Sequence, residues 1–274
     1  MFDFATKFVQ DVESNLERVL STREVEVFGI SAENILADGY IYATKDGGKR
    51  IRPICVYLGA LSTGADVSAK WQGLVDLATM VELIHSYSLV HDDLPAMDND
   101  DYRRGKLSTH KKYGEANGIL IGDGLLTKAM EMGLNTAYGE NYIKSASAIA
   151  KGAMNMVTGQ AIDLKDGAKD YMSIYALKTA QLISVSFEAG ATYMCAKIEV
   201  VEMAKTYGHH IGMAFQIADD LLDGAENSMV NAIGEQRAKE LLKAETDKAL
   251  AMAENMANKE QMQEFATKLL KRKK

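Results

Sequence analysis

Two dense runs of aspartates are the residues in this chain best suited to chemistry. One run lies within residues 91–101 (HDDLPAMDNDD), and the other occupies residues 219–223 (DDLLD). Two carboxylates about 4 Å apart repel each other by about 4 kcal/mol at an effective dielectric constant near 20, so a cation is expected between them. Magnesium fits best, because it prefers carboxylate oxygens and is commonly completed by water and substrate phosphate. The alternative for either run alone is a solvated helix end.

The two runs present their carboxylates differently. Asp219 and Asp223 are four residues apart, which places them one turn apart on the same face of a helix. Asp92 and Asp98 are six residues apart and would diverge by about 240° on an ideal helix. Pro95 lies between them, so we expect the helix to loosen or kink there and to let both carboxylates face inward.

Basic and polar side chains accompany the aspartates along the chain. Basic groups that do not pair with aspartate suit a second anion, which arginine can bind through two hydrogen bonds. His85 precedes Asp92 by seven residues, two turns along one helix face, so it is expected to point into the same cleft; a satisfied core histidine is the alternative. The set comprises residues 48–53 (GKRIRP), His85, Arg103, Arg104, Lys178, Thr179 and, one turn before the second run, Gln216.

The composition favours a single all-α domain spanning residues 1–274. Hydrophobic residues make up 47% of the chain and only two prolines occur, so long helices can form almost anywhere. The net charge of −7 disfavours nucleic-acid binding. The sequence contains no run of 18 consecutive apolar residues, so stable membrane insertion is not predicted. Cys55 and Cys195 fit neither a metal site nor a disulfide framework, so a reducing cytoplasm is predicted.

Helical periodicity dominates the chain. An amphipathic helix is predicted over residues 4–19, and another is predicted from Ser68, as its N-cap, up to the first aspartate run. Further helices are predicted over residues 119–134, 145–164, 171–189 and 200–222. Only residues 24–28 (EVEVF) alternate with period two, and they are too few and too isolated to indicate a sheet.

These motifs, taken in order, resemble the trans-isoprenyl diphosphate synthases (polyprenyl synthetases), most closely the bacterial farnesyl diphosphate synthases. The resemblance rests on residues 47–53 (GGKRIRP), 82–101, 103–106 (RRGK), 159–160 (GQ), 178–179 (KT) and 215–223 (FQIADDLLD). It implies an isoprenoid synthase-type bundle of long helices around a deep central cavity, with the aspartate motifs facing each other at its mouth. It also implies a homodimer.

The resemblance further implies a Mg²⁺-dependent prenyltransferase. The allylic substrate, dimethylallyl or geranyl diphosphate, would ionise and condense head-to-tail (1′-4) with isopentenyl diphosphate to give farnesyl diphosphate (C15). A geranylgeranyl (C20) synthase and a non-catalytic partner subunit are the alternatives. A metal phosphohydrolase is disfavoured by the histidine spacing. A terpene cyclase would not need an isopentenyl diphosphate site.

Each motif residue takes an expected role from the same resemblance. Asp92, Asp98 and Asp219 would ligate magnesium, three ions with substrate bound, and Asp93 and Asp223 would support them. The expected catalytic residues are Asp92, Asp98, Arg103, Lys178 and Asp219. The expected allylic diphosphate contacts are Arg103, Lys178, Thr179 and Gln216, and the expected isopentenyl diphosphate contacts are Gly48, Lys49, Arg52, His85 and Arg104.

Product length is expected to depend on Tyr87 and Ser88, the fifth and fourth residues before the first aspartate. By the same resemblance, an aromatic residue at position 87 is typical of the family members that produce C15. A helical wheel places Tyr87 about 140° from Asp92, so spacing alone leaves a core-packing role equally open.

The sequence departs from the family after Asp223. Relatives continue through a basic, glycine-containing loop, whereas residues 224–230 (GAENSMV) pass almost directly into helical sequence. Either that loop is shortened or part of it is missing from the sequence, and a true loss would remove one diphosphate contact. The basic residues 271–274 (KRKK) either cover the isopentenyl diphosphate or form a solvated tail.

Overall fold

The all-α fold expected from the sequence is confirmed: 76% of the residues that the structure describes are helical, and strands are almost absent among them. The computed structural model describes residues 2–45, 48–165, 167, 169–223 and 228–270, with only the backbone at positions 27, 32 and 223. The chain divides into two compact units, one of Asp3–Ile54 and Val75–Asn135 and one of Phe2, Cys55–Leu74 and Thr136–Lys274. A single functional domain over residues 1–274 and the deep central cavity stay predictions.

Helices supply most of both units. In the first unit lie α1 (Thr6–Leu20), β1 (Glu24–Val27), β2 (Ile30–Glu33), α2 (Ala37–Thr44), most of α4 (Trp71–Asp92), β3 (Tyr102–Arg103), β4 (Lys106–Leu107), α5 (Thr109–Tyr113) and α6 (Glu115–Gly133). In the second lie most of α3 (Ile51–Leu61), α7 (Glu140–Asp163), α8 (Tyr171–Tyr175), a π-helical segment (Ala176–Ala180), α9 (Gln181–Tyr193), α10 (Ile198–Asp223), α11 (Met229–Ile233), α12 (Glu235–Ala253) and α13 (Lys259–Leu270).

The predicted helix before the first aspartate run is confirmed, but its start differs in detail. Ser68 was expected to be the N-cap, but it is the first residue of a 3₁₀ turn that leads into α4, and Val67 is the cap of that turn. Asp66 accepts hydrogen bonds from the Ser68 backbone N–H (2.9 Å) and hydroxyl (2.7 Å). Within the described residues, Ser68–Asp92 is the one helix long and apolar enough to cross a membrane, and 83% of its apolar window is buried inside the protein, as in a core helix.

The period-two segment forms a hairpin, so the prediction of no sheet there was wrong. Strands β1 and β2 pair antiparallel, from Glu24 opposite Glu33 to Val27 opposite Ile30. The turn residues Phe28 (φ 53°) and Gly29 (φ 76°) are both left-handed, as a two-residue hairpin turn of this twist requires. Asparagine or glycine is usual at the first of these positions, so a phenylalanine there hides the turn signal.

In the second unit, α9 is buried along nearly its whole length and contacts α3 through two glycines. A Cβ atom on Gly59 would lie 2.1 Å from the Phe187 carbonyl oxygen, and one on Gly190 would lie 2.0 Å from the Val56 carbonyl oxygen. The obstacle on each side is backbone, which cannot rotate away as a side chain can. The close approach of the two helices therefore requires glycine at both positions.

Replacing Gly190 by alanine should destabilise the protein by about 1–3 kcal/mol, because the added methyl group must push the α3 backbone aside. Chemical denaturation followed by circular dichroism measures the change. Lys151→Ala, an exposed substitution on α7, serves as the control and should shift the free energy of unfolding by less than about 0.5 kcal/mol. Equal effects for the two variants would contradict the close backbone contact.

Candidate active site

The first aspartate run lies where α4 ends, and the chain then folds back on the helix end. The Asp98 backbone N–H donates to the Asp92 carbonyl oxygen at 2.8 Å, and the Asp100 N–H donates to the Asp93 carbonyl oxygen at 3.2 Å. Two residues six apart in sequence thus become neighbours without a helical kink. The helix was expected to loosen or kink at Pro95, and it ends rather than kinks: α4 stops at Asp92, before the leucine whose α conformation the proline disfavours.

The second carboxylate of this run is tied to the short hairpin that follows it. Asp93 is 2% exposed and accepts hydrogen bonds from Arg103 Nε (2.7 Å) and Nη2 (2.5 Å). Arg103 Nη2 also lies 3.6 Å from an Asp100 carboxylate oxygen. Burial raises the pKa of Asp93, while the Arg103 guanidinium opposes that shift. Asp93 therefore anchors β3, and Arg103, expected to bind substrate, is already paired with aspartate.

The residues of the GGKRIRP motif are organised by a buried arginine. Arg50 is 3% exposed and donates to Glu13 (2.5 and 3.0 Å), to Glu82 (2.6 Å) and to the Thr44 carbonyl oxygen (2.7 Å). Its backbone is left-handed, with φ 49°, immediately before α3. A buried charge with this many partners is a structural element, so Arg50 holds the segment that carries the expected substrate residues.

Positive charge is concentrated beside Gly48. Arg104 (φ 52°) and Gly105 (φ 77°) form the two-residue turn between β3 and β4. A Cβ atom on Gly48 would lie 2.6 Å from Arg50 Nη1 and 3.2 Å from Arg104 Nη1. Partial burial lowers the pKa of Arg104, Glu82 opposes this, and Arg50 and Arg103 lower it further. The mutual repulsion among these guanidiniums would be relieved by a bound anion.

His85 lies on α4 within this arginine-rich environment. The pKa of its imidazole is well below the ordinary value, first because the ring is removed from water and then because of Arg52, Arg104, Arg103 and Arg50. The ring is therefore neutral near pH 7 and can donate one N–H hydrogen bond to an anion. The structure brings His85 together with the expected isopentenyl diphosphate residues Arg52 and Arg104, while the side chain of Lys49 is exposed.

A cleft of about 450 Å³, open to solvent, adjoins this region of the first unit. Four cations and a single acid contribute to its lining, and the acid, Asp93, is already paired with Arg103. Two of the cations, Lys45 and Lys106, were not predicted as site residues. Lys106 directly follows residues 103–105 (RRG), and this position could have identified it as a residue of the cleft. Lys45 is far from them in sequence and reaches the cleft only through the fold.

The expected product-length residues lie on α4 above the first aspartate. Tyr87 is 6% exposed and packs edge-on against His91, with ring centroids 5.8 Å apart. His91 is held in turn by α6, because a Cβ atom on Gly122 would lie 2.1 Å from His91 Nε2. Ser88 is half-buried and donates its hydroxyl to the His85 carbonyl oxygen at 2.9 Å. Tyr87 is thus a rigid, buried aromatic side chain.

The Lys-Thr motif of the second unit lies on the π-helical segment Ala176–Ala180, where continuous α-helix was predicted. Lys178 Nζ contacts an Asp163 carboxylate oxygen at 2.8 Å, and Lys169 Nζ contacts the other at 3.0 Å. A Cβ atom on Gly159 would lie 2.5 Å from the Lys178 backbone nitrogen, which explains the glycine of the GQ motif. Asp163 was missed; its position one turn after Gln160 is the signal that could have found it. π segments in helices are frequent at functional sites.

The second aspartate run ends α10 in a hydrogen-bonded network. Thr179 Oγ1 donates to Gln216 Oε1 at 2.8 Å, and Gln216 Nε2 donates to Asp220 Oδ1 at 3.1 Å. Asp220 also accepts the hydroxyl hydrogen of Tyr175. Asp219 is partly exposed beside it. The structure therefore brings the expected residues Thr179 and Gln216 into direct contact.

Several predictions fall outside the described residues. These are the segment 224–227 that follows α10, the basic residues 271–274, Gly47, and the side chain of Asp223. Among the residues and side chains that are described, no three histidine, cysteine, aspartate or glutamate side chains form a group that could by itself hold a metal ion.

The helical fold, the two aspartate motifs and the arginine-rich site define an enzyme of the isoprenoid synthase class. Residues 33–274 match the polyprenyl synthetase family, and the chain belongs to that family. It is a short-chain trans-prenyltransferase, as the sequence motifs predicted.

The chain is similar to individual prenyltransferases in sequence and in structure. The chain is 35% identical to the farnesyl diphosphate synthase of Bacillus subtilis strain 168 over 244 residues, covering 84% of this chain and 79% of that enzyme. A geranyltransferase from Legionella pneumophila has a similar structure, with a TM-score of 0.84, 32% identity and coverage of 97% and 95%. A geranyltransferase from Helicobacter pylori complexed with magnesium and isoprenyl diphosphate has a TM-score of 0.81, 26% identity and coverage of 98% and 96%.

Binding of inorganic pyrophosphate should raise the pKa of His85 toward its ordinary value near 6.5, because the anion offsets the surrounding guanidiniums. The imidazole signals, followed by NMR between pH 4 and 8 with and without pyrophosphate, measure this. His209, whose pKa is lowered by burial and by His210, is the matched control and should not respond. An unchanged His85 titration would contradict an anion site at this cluster.

Proposed function

We propose that this prenyltransferase makes farnesyl diphosphate. In the proposed reaction, isopentenyl diphosphate condenses head-to-tail (1′-4) with dimethylallyl and then geranyl diphosphate, and one diphosphate is released in each step. The observation that supports this proposal is the cluster of arginines around His85 in the first unit. A neutral His85 lies near Arg52 and Arg104, and it is on the same helix as Asp92, two turns before it, so α4 links this cluster to the first aspartate run.

Magnesium is the proposed cofactor. Each unit carries carboxylates of the kind that it prefers: Asp92 and Asp98, supported by Asp93, in the first unit, and Asp219, supported by Asp223, in the second. Asp92 and Asp98 are neighbours through a backbone hydrogen bond. Magnesium commonly keeps several waters and completes its coordination with substrate phosphate, which agrees with the lack of a self-contained ligand cluster among the described side chains. When bound, three such ions would neutralise charge on the diphosphate. The Helicobacter pylori relative, complexed with magnesium and isoprenyl diphosphate, supports this assignment.

The proposed roles of the side chains follow from their charge. Arg103, Lys178, Thr179 and Gln216 bind the allylic diphosphate, and their hydrogen bonds strengthen as charge develops on the departing group. Gly48, Lys49, Arg52, His85 and Arg104 hold isopentenyl diphosphate close enough for its double bond to attack the allylic cation. Exclusion of water protects that cation. The released diphosphate accepts the final proton, so the reaction requires no side-chain base.

A homodimer in the cytoplasm completes the proposal. On α7, Met154 is 66% exposed and Val157, three residues later, is 49% exposed; on α6, Ile119 and Leu120 are 47% and 50% exposed. Neighbouring exposed apolar side chains of this kind are commonly covered by another protein surface. A second copy of the chain is the occupant we propose, and sedimentation velocity measures it.

Incubation of the purified protein with isopentenyl diphosphate and dimethylallyl or geranyl diphosphate tests the proposed function. With Mg²⁺ we expect a C15 alcohol after dephosphorylation and chromatography, and with EDTA we expect none. A C20 product would show that the protein is a prenyltransferase that makes geranylgeranyl rather than farnesyl diphosphate. Folded protein that forms no product with any allylic starter would favour the non-catalytic subunit.

Product length should respond to Tyr87. Truncation in Tyr87→Ala removes the buried aromatic ring from the side of α4, and we expect products of C20 or longer at the expense of C15. Tyr87→Phe is the control: it keeps the ring and its contact with His91, so C15 should persist. Chromatography of the dephosphorylated products measures the distribution, and an unchanged C15 product from a folded Tyr87→Ala variant would leave Tyr87 with a packing role alone.

A further inference from the structure

We propose that Tyr175 and Asp220 form a positioning pair that fixes the side-chain amide of Gln216 in the one orientation that presents an N–H group to a diphosphate. Neither residue is expected from the sequence to contact substrate. The inference rests on the proposed function for the identity of that diphosphate, and it assigns a task to the second aspartate of the DDLLD motif that is distinct from metal binding.

The orientation of the amide follows from the chemistry of its partners. An ionised carboxylate only accepts hydrogen bonds, so the group of Gln216 that lies 3.1 Å from Asp220 Oδ1 must be the amino group, Nε2. The carbonyl oxygen Oε1 then faces Thr179 and accepts its hydroxyl hydrogen at 2.8 Å. Neither bond uses the second hydrogen of Nε2. Gln216 thus retains one N–H donor, the kind of group that an anion requires.

Tyr175 holds Asp220 in place from the opposite side. Its hydroxyl donates to Asp220 Oδ2, and the Met229 backbone N–H lies 3.1 Å from both the phenol oxygen and that carboxylate oxygen. Burial and the neighbouring Asp220 raise the pKa of Tyr175, so the phenol keeps its hydrogen throughout the neutral range. Asp220 therefore has a partner on each oxygen and cannot rotate without losing one.

The surroundings make these hydrogen bonds effective. Tyr175 and Met229 belong to one buried apolar cluster, which also contains Ile174, Ala180 and Ile217. Hydrogen bonds at the edge of such a cluster are stronger than in water, and a group left without its partner there is costly. The same cluster connects α8, the π segment, α10 and the start of α11, and the pair itself joins α8 to α10 and to Met229 of α11.

Loss of the pair would let the Gln216 amide rotate by 180°. The rotated amide would present its carbonyl oxygen to the diphosphate, and two acceptors facing each other repel. The Thr179 hydroxyl would also lose its acceptor. The expected consequence is weaker binding of the allylic diphosphate, with no change at the isopentenyl diphosphate residues in the first unit.

Steady-state kinetics of Tyr175→Phe and Asp220→Asn test the proposal. We expect each variant to raise the KM for geranyl diphosphate about tenfold, the effect of about one lost hydrogen bond. The KM for isopentenyl diphosphate and the Mg²⁺ concentration for half-maximal rate should stay within about twofold of wild type. Because the two residues act as a unit, the KM for geranyl diphosphate of the double variant should not exceed that of the more impaired single variant.

Tyr171→Phe is the matched control. Tyr171 packs against Tyr175 with ring centroids 6.1 Å apart, but its hydroxyl takes no part in the network, so its kinetics should match wild type. A shifted Mg²⁺ requirement in Asp220→Asn would make Asp220 a metal ligand and overturn the proposal. Equal increases in both substrate KM values, or additive effects in the double variant, would also overturn it.

A binding measurement separates this inference from the proposed function. Calorimetric titration with inorganic pyrophosphate and Mg²⁺ requires no turnover, so it applies even to a protein that transfers no prenyl group. Weaker pyrophosphate binding by Tyr175→Phe and Asp220→Asn, but not by Tyr171→Phe, supports the positioning pair whatever the product assay gives. Equal binding by all four proteins overturns the pair and leaves the proposed function untouched.

Discussion

The buried guanidinium of Arg50, with its hydrogen-bonded partners, is the interaction on which the proposed anion site of the first unit depends. Its backbone conformation, with φ 49°, sets the direction in which the chain enters α3, and its partners Glu13 and Glu82 come from α1 and α4. Removing one partner of such a buried pair typically costs about 3–5 kcal/mol, because a charge is left uncompensated. Gly48 packs directly on this group. The arginines proposed to bind substrate therefore lie beside Arg50, whose own guanidinium is already paired with Glu13 and Glu82.

The second carboxylate of each aspartate run is used in the same way. Asp93 is bound to Arg103 of the following hairpin, and Asp220 is bound to Gln216, Tyr175 and the Met229 backbone. Two adjacent aspartates, within a helix as in α10 or at its end as in α4, point in different directions, so one can hold the local structure while the other is directed elsewhere. Two adjacent aspartates can thus take two separate roles, which a single aspartate could not combine. Asp93 and Asp220 are structural acceptors in their respective units.

The sequence predicted the helices well, because apolar periodicity is a local signal. It failed where a few residues adopt unusual backbone conformations: the hairpin turn at Phe28, the reversal between Asp92 and Asp98, and the π segment around Lys178. Each of these depends on contacts with distant segments, which no local pattern reports. The same reason explains why the partners of known motif residues, such as Asp163 and Tyr175, were missed.

The basic side chains around His85 in the first unit and around Lys178 in the second would respond differently to a bound anion. In the first unit, burial and then the surrounding guanidiniums disfavour a protonated His85, so an anion bound there would offset that positive charge. In the second, Lys178 is already paired with Asp163, which it shares with Lys169. A diphosphate that reaches Lys178 must share the lysine with Asp163, whose negative charge opposes it. Binding there consequently needs additional positive charge or well-oriented N–H donors, and the fixed amide of Gln216 is a donor of that kind.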